Sequence, residues 1–207
     1  MRHNHAPYMS RKTGLTLVEL MVVIIIISIL VGLLLPALMK ARDSARRTLC
    51  QNNLHQLALA MRGYRAAYNH LPNPASPNSV GGWSVALLGF LEQTAWEDEL
   101  MKNPTINPVA IPPLASRRPP IMSCPFGYDG DSTIAKIPAA NYVLVYTMDS
   151  GKKHWQIGDA PVSFRGPWVT GPEMEYSVWS TQVGPHDGGF YIADSDGSVE
   201  FFAGQSK

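Results

Sequence analysis

From Leu20 to Met39 the chain carries no charged residue. As a helix this run of about 20 residues spans roughly 30 Å, the thickness of a bilayer's hydrocarbon core. It is longer than the apolar stretch of an ordinary secretory signal, and no small-residue cleavage site follows it. In lipid such a segment can satisfy its backbone only as a helix. The residues before it, Met1 to Gly14, are polar and hold Arg2, Arg11 and Lys12 with no acid. Glu19 stands just inside the apolar segment, where a carboxylate is costly unless it finds a partner or reaches water. At the headgroup level it would favour the helix N-terminus through the dipole. The other reading is a partner outside this helix.

Downstream the pattern predicts a continuing helix from Ala37 to about Tyr68, with Pro36 removing one backbone hydrogen bond. Cys50, Leu54, Leu57, Met61, Tyr64, Tyr68 and Leu71 recur at steps of four and three, an apolar face that something must cover. The opposite face holds Gln51, His55, Arg62 and Arg65. Pro72 and Pro74 end the helix. The segment therefore changes from apolar all round to one-sided and becomes the spine of a head spanning residues 72–207.

Most of the 17 Pro and 17 Gly lie after Leu71, so turns should be frequent in the head. Trp83 to Leu88 and Leu91 to Gln93 predict one short helix reaching roughly Met101. Residues 103–120, rich in proline, read as an extended connection. Asn141 to Tyr146 reads as a strand, and Val162 to Val169 as a weaker one. Gly189 to Ala193 and Ser198 to Phe202 flank Asp194-Ser195-Asp196-Gly197, a strong hairpin signal. The expected fold class is α+β: a long N-terminal helix, its first half transmembrane, packed on a C-terminal antiparallel sheet.

Lys12-Thr13-Gly14 followed by Leu15-Thr16-Leu17-Val18-Glu19 resembles the processing signal of type IV prepilins and type II secretion pseudopilins. The resemblance implies a leader over residues 1–14, a cut between Gly14 and Leu15, methylation of Leu15, and a transmembrane helix over 15–39. An extramembrane continuation over 40–71 follows. Most such proteins have Phe where this chain has Leu15. Glu19 matches the glutamate that meets the N-terminal amine of a neighbouring subunit in assembly. Arg46-Arg47-Thr48-Leu49-Cys50-Gln51-Asn52-Asn53-Leu54, Leu91-Glu92-Gln93, Cys124-Pro125 and Asn141-Tyr142 are similar to landmarks of the DUF1559 family. That family is prepilin-type and ends in an H-x9-DG signature, here His186, nine residues, then Asp196-Gly197. The implied partners are a prepilin peptidase and N-methyltransferase, pilin-like subunits, an assembly platform and the lipid bilayer. The implied location is the bacterial inner membrane, single-pass, with the head periplasmic or extracellular. Local charge does not decide orientation: Arg2, Arg11 and Lys12 lie before the span, and Lys40, Arg42, Arg46 and Arg47 after it.

The remaining chemistry is sparse. A net charge of +1 gives no general attraction to nucleic acid. His186-Asp187-Gly188-Gly189 could suggest a base or ligand, but no serine or cysteine nucleophile sits in a recognisable elbow. The expected role of His186 is to fix the chain entering the hairpin, with Gly188 and Gly189 allowing a tight turn. Asp194-Ser195-Asp196-Gly197 resembles a fragment of a calcium loop but lacks its other ligands, so it reads as a β-turn. Two cysteines, Cys50 and Cys124, offer no CxxC or haem spacing. Outside the cytoplasm they would form a disulfide, or pack as two buried thiols. Trp83, Trp155, Trp168 and Trp179 could fill the core or line a surface. No catalytic residue, metal or cofactor is expected. The leading function is a pilin-like structural subunit. The alternative is a membrane-anchored binding module for an envelope polysaccharide or protein.

Overall fold

The structure, a computed structural model, describes residues 16–72, 81–102, 117–127, 139–149, 152–161, 173–175, 178, 182, 184–186 and 189–203. Two compact units are distinguished, residues 1–43 and 44–207. Helix α1 covers Leu17–Tyr68 without interruption at Pro36. In the first unit every large apolar side chain from Leu17 to Met39 is exposed. A helix that is apolar all round and uncovered calls for lipid or other helices around it. It is long and apolar enough to cross a membrane. Ser28 donates its hydroxyl to the Ile24 carbonyl at 2.7 Å, so this polar group is satisfied within the helix.

In the second unit α1 becomes one-sided. Cys50, Leu54, Leu57, Ala58, Ala60 and Met61 are buried. Each fully buried leucine contributes on the order of 1.5–3 kcal/mol. Beyond Met61 the stripe opens: Tyr64 is half-buried and Tyr68 exposed, and both contact Phe90 edge-on. The predicted second helix is divided in three. Helix α2 spans Trp83–Ala86, a 3-10 turn spans Gly89–Leu91, and helix α3 spans Thr94–Lys102. The break falls at Glu92, whose φ of 59° no α-helix accepts. Trp83 is a core residue. Residues 103–116 of the connection predicted over 103–120 lie outside the described residues, and its last residue opens a 3-10 turn at Pro120–Met122. The weaker strand predicted at Val162 to Val169 lies outside them too.

The head sheet has the order β3-β1-β2-β4-β5, with β1 at Tyr142–Asp149, β2 at Lys152–Asp159, β3 at Glu173–Glu175, β4 at Phe190–Ala193 and β5 at Val199–Phe202. β1, β2, β4 and β5 pair antiparallel, as the α+β reading requires. The short β3 adds to β1 in parallel at the edge. Register places Leu144 opposite Ile157, Ile157 opposite Ala193, and Ala193 opposite Val199. These residues face α1 and join Cys50, Leu54 and Leu57 in one cluster. Val143, Val145 and Phe190 form a second cluster on the other face, with Ile192 and Phe202.

Cys50 and Cys124 are joined by a disulfide, Cα–Cα 5.1 Å, across 74 residues of sequence. Asn53 reinforces the same seam, donating to the Ser123 carbonyl at 2.9 Å and to the Tyr142 hydroxyl at 3.3 Å. Replacing both cysteines by alanine should lower unfolding free energy by about 2–4 kcal/mol in urea titrations. Leu57→Ala should cost about 2–5 kcal/mol by cavity formation. Denatured protein should show no free thiol until reductant is added.

Candidate functional site

Two places gather the residues that the sequence singles out. The first is the start of α1. The Thr16 backbone N–H donates to Glu19 Oε2 at 2.8 Å, and the Thr16 hydroxyl donates to the same oxygen at 3.0 Å. The Glu19 N–H reaches the Thr16 hydroxyl at 3.3 Å. This is a reciprocal capping box that satisfies backbone donors which the helix leaves unpaired. Thr16-x-x-Glu19 ahead of an apolar run is its sequence signature. Glu19 therefore has a local role within its own chain. Gly14 and Leu15 lie outside the described residues.

The second place is a buried node beside the disulfide. Asn141 Oδ1 accepts the Cys124 N–H at 3.0 Å, and the Asn141 carbonyl accepts from Ala160 at 2.8 Å. That arrangement brings Asp159, the last residue of β2, next to the cystine. His186 Nε2 lies 3.2 Å from Asp159 Oδ2 and 3.5 Å from Cys124 Sγ. Both side chains are fully buried. The Tyr191 N–H donates to the same Asp159 oxygen at 2.7 Å. Phe126 and Tyr191 meet the imidazole edge-on, at centroid distances of 4.9 and 4.7 Å. His186 Nδ1 is buried with no hydrogen-bond partner among the described residues.

Burial pushes the Asp159 carboxyl above the usual carboxylate range, against the opposing pull of His186 and the Tyr191 N–H. Burial also raises the Tyr142 hydroxyl, and the Asp159 charge adds to the effect. Sequence reasoning missed Asp159 because β2 was not recognised. Trp155, Ile157 and Asp159 nevertheless alternate with His154, Gln156 and Gly158, the period of a strand.

The node resembles a Cys-His-Asp constellation, yet its sulfur is bonded to Cys50 and is no thiolate nucleophile. Donor atoms of Cys50, Cys124 and His186 lie within 4.8 Å of one another. Joined as a cystine, the two sulfurs offer a metal no thiolate. In this state the geometry holds a crossover together: helix, Cys124 turn, end of β2 and start of β4.

The other signature residues lie in the β4–β5 turn, apart from His186. Gly197 has φ 92° and its carbonyl meets His55 Nδ1. Asp194 Oδ1 accepts the Ser195 N–H at 2.7 Å, and Asp196 Oδ1 the Ser198 N–H at 2.8 Å. Hydrogen bonding from Ser198, first its side chain and then its backbone N–H, holds the Asp196 carboxyl below its ordinary range. Both carboxylates are thus engaged in the turn. Gly189 pairs with His186 in an isolated bridge, and a Cβ there would collide with Phe201 and the Phe202 carbonyl. Close approach to β5, rather than turn geometry, requires this glycine. Asp187 and Gly188 lie outside the described residues.

Among known families, residues 39–176 match the one described as protein of unknown function (DUF1559). Residues 9–35 match the prokaryotic N-terminal methylation motif. Neither description names an enzymatic domain. No curated protein and no solved structure matches the chain.

His186→Ala should destabilise the head by about 1–3 kcal/mol, because it removes one polar partner of the buried Asp159. A raised folded pKa contributes stability that is complete below the unfolded value, about 4, and is lost as pH rises through the folded value. The stability of wild type relative to Asp159→Asn should therefore fall as pH rises from about 4. Urea titrations of both proteins from about pH 3.5 to about pH 7.5 check this, and a rising difference would contradict it.

Proposed function

This chain belongs to the DUF1559 family, and from that membership we propose that it is a pilin-like structural subunit, anchored in a membrane before assembly. The observation that carries the reading is the first half of α1. It combines a prokaryotic N-terminal methylation motif with a capped helix whose apolar surface is exposed on every side. Such a helix is equally at home in lipid and among copies of itself. A plain anchor would not need the processing motif.

In this reading a prepilin peptidase cuts after Gly14 on the cytoplasmic side and Leu15 is methylated. The span crosses the inner membrane once, and the head lies in the periplasm or beyond. Cys50 and Cys124 then reside where disulfides persist. Processed helices pack together in a type II secretion or type IV pilus-like fibre, with heads outward. Glu19 leaves its capping box to meet the Leu15 amine of a neighbouring subunit, a charge pair strengthened by the low dielectric around it. The chain works by assembly and carries no catalytic step.

Mass spectrometry of the membrane-extracted protein should find a chain beginning at methylated Leu15. Glu19→Ala and Glu19→Gln separate the two roles of the acid. Glutamine keeps the capping box but removes the charge. If the charge pair drives assembly, both variants lose sheared surface fibres while remaining in the membrane. Wild-type fibre yield from Glu19→Gln would sink the charge-pair role.

A further inference from the structure

The polar node beside the disulfide is also a cluster of metal-ligating atoms. Donor atoms of Cys50, Cys124 and His186 all lie within 4.8 Å of one another. Asp159 Oδ2 stands 3.2 Å from His186 Nε2. All four residues are buried, none more than 3% exposed. Two sulfurs, an imidazole nitrogen and a carboxylate oxygen, closed off from solvent, are the donor set of a tetrahedral structural zinc site. What withholds the sulfurs is the bond between them. The chain is made with both sulfurs as thiols, however, and they remain so until an oxidising compartment closes the bridge.

We infer that before the bridge closes the node binds a zinc ion, through Cys50 and Cys124 as thiolates, His186 Nε2 and the Asp159 carboxylate, and that bridge formation expels it. The spacing fits this ion. Zinc lies about 2.3 Å from sulfur and about 2.0–2.2 Å from nitrogen or oxygen, which sets tetrahedral ligands about 3.6 Å apart for sulfur and nitrogen and about 3.4 Å for nitrogen and oxygen. The node already has 3.5 Å from Cys124 Sγ to His186 Nε2 and 3.2 Å from that nitrogen to Asp159 Oδ2. Two thiolates on one zinc stand about 3.8 Å apart. Rotation about the cysteine Cα–Cβ bonds can supply that separation.

The ligands are also held from behind. Asn141 Oδ1 accepts the Cys124 N–H, and the Tyr191 N–H donates to Asp159 Oδ2. Phe126 and Tyr191 wall the imidazole with their rings. Outer contacts of this kind orient ligands and tune their affinity. His186 Nδ1 has no partner among the described residues whether Nε2 carries a proton or a metal, so it favours neither state. Two thiolates select a thiophilic ion over calcium or magnesium, which take oxygen.

The charges balance. Binding releases the two thiol protons to solvent, and the dication offsets the two thiolates. On closure a disulfide-class oxidant takes two electrons from the sulfurs, gains two protons from solvent and leaves as a dithiol. The S–S bond forms and zinc departs as the dication. The inference concerns the head alone and does not depend on fibre formation.

The test uses the full chain in detergent micelles, reduced in urea with a phosphine and refolded without oxygen. The reduced protein should retain stoichiometric zinc after desalting, and the oxidised protein none. Cobalt(II) in place of zinc should give the strong visible bands of tetrahedral coordination together with thiolate charge-transfer absorption. Cys50→Ser/Cys124→Ser should lose binding. His186→Gln, which keeps both thiols, should weaken zinc at least about tenfold against a chelating indicator, and Asp159→Asn by a smaller factor. Zinc held only by cysteines of an unfolded chain would not respond to the histidine variant and would lack the tetrahedral cobalt spectrum. The proposal is overturned if the reduced chain retains no zinc, if the oxidised chain retains as much, or if either the double serine variant or His186→Gln binds as wild type does.

Discussion

The disulfide between Cys50 and Cys124 is the constraint on which the head depends. It joins the buried face of α1 to the segment that leads into the sheet, and it closes a loop of 74 residues. The apolar contacts around it are non-directional and would tolerate sliding of helix against sheet. A covalent bond at one point of the stripe, with Asn53 hydrogen-bonded to Ser123 and Tyr142 one turn away, sets a single register. From there the hydrogen bonds of Asn141 carry the order to Asp159, and Asp159 carries it to Tyr191 and His186.

A buried acid and histidine beside a cystine are an expensive way to hold a core, since apolar residues of similar volume often do as well. What the polar pair adds is direction. Asp159 accepts a backbone N–H of β4 and meets a histidine from the segment just before it, so β4 can dock on β2 in one position only. The H-x9-DG signature then has two separate structural meanings. His186 locks the entry to the hairpin, and Asp196-Gly197 forms the turn that rests on α1 at His55.

The same helix serves two environments. In its first half, all sides are apolar and the Thr16–Glu19 box closes its end. In its second half, one face is buried by the sheet while Arg62 and Arg65 stay exposed. A protein anchored by one half and folded around the other can present its head chemistry outside a membrane without altering the anchor.

Much of this follows from local pattern. The charge-free run to Met39, the stripe from Cys50 to Met61 and the Asp-Gly turn each act over a few residues, through hydrophobic periodicity or backbone preference, and so they are legible in the sequence. The same locality explains the failures. A left-handed Glu92 divides the expected second helix, and β2 is hidden because four of its eight residues are Lys, His or Gln. Which residues meet across the fold was decided by the tertiary structure alone. The Asp159–His186 contact joins positions 27 residues apart, whereas the Cys50–Cys124 bridge was already offered by a chain with two cysteines. No periodicity reaches that far; only the packing of the sheet against α1 brings those groups into one place.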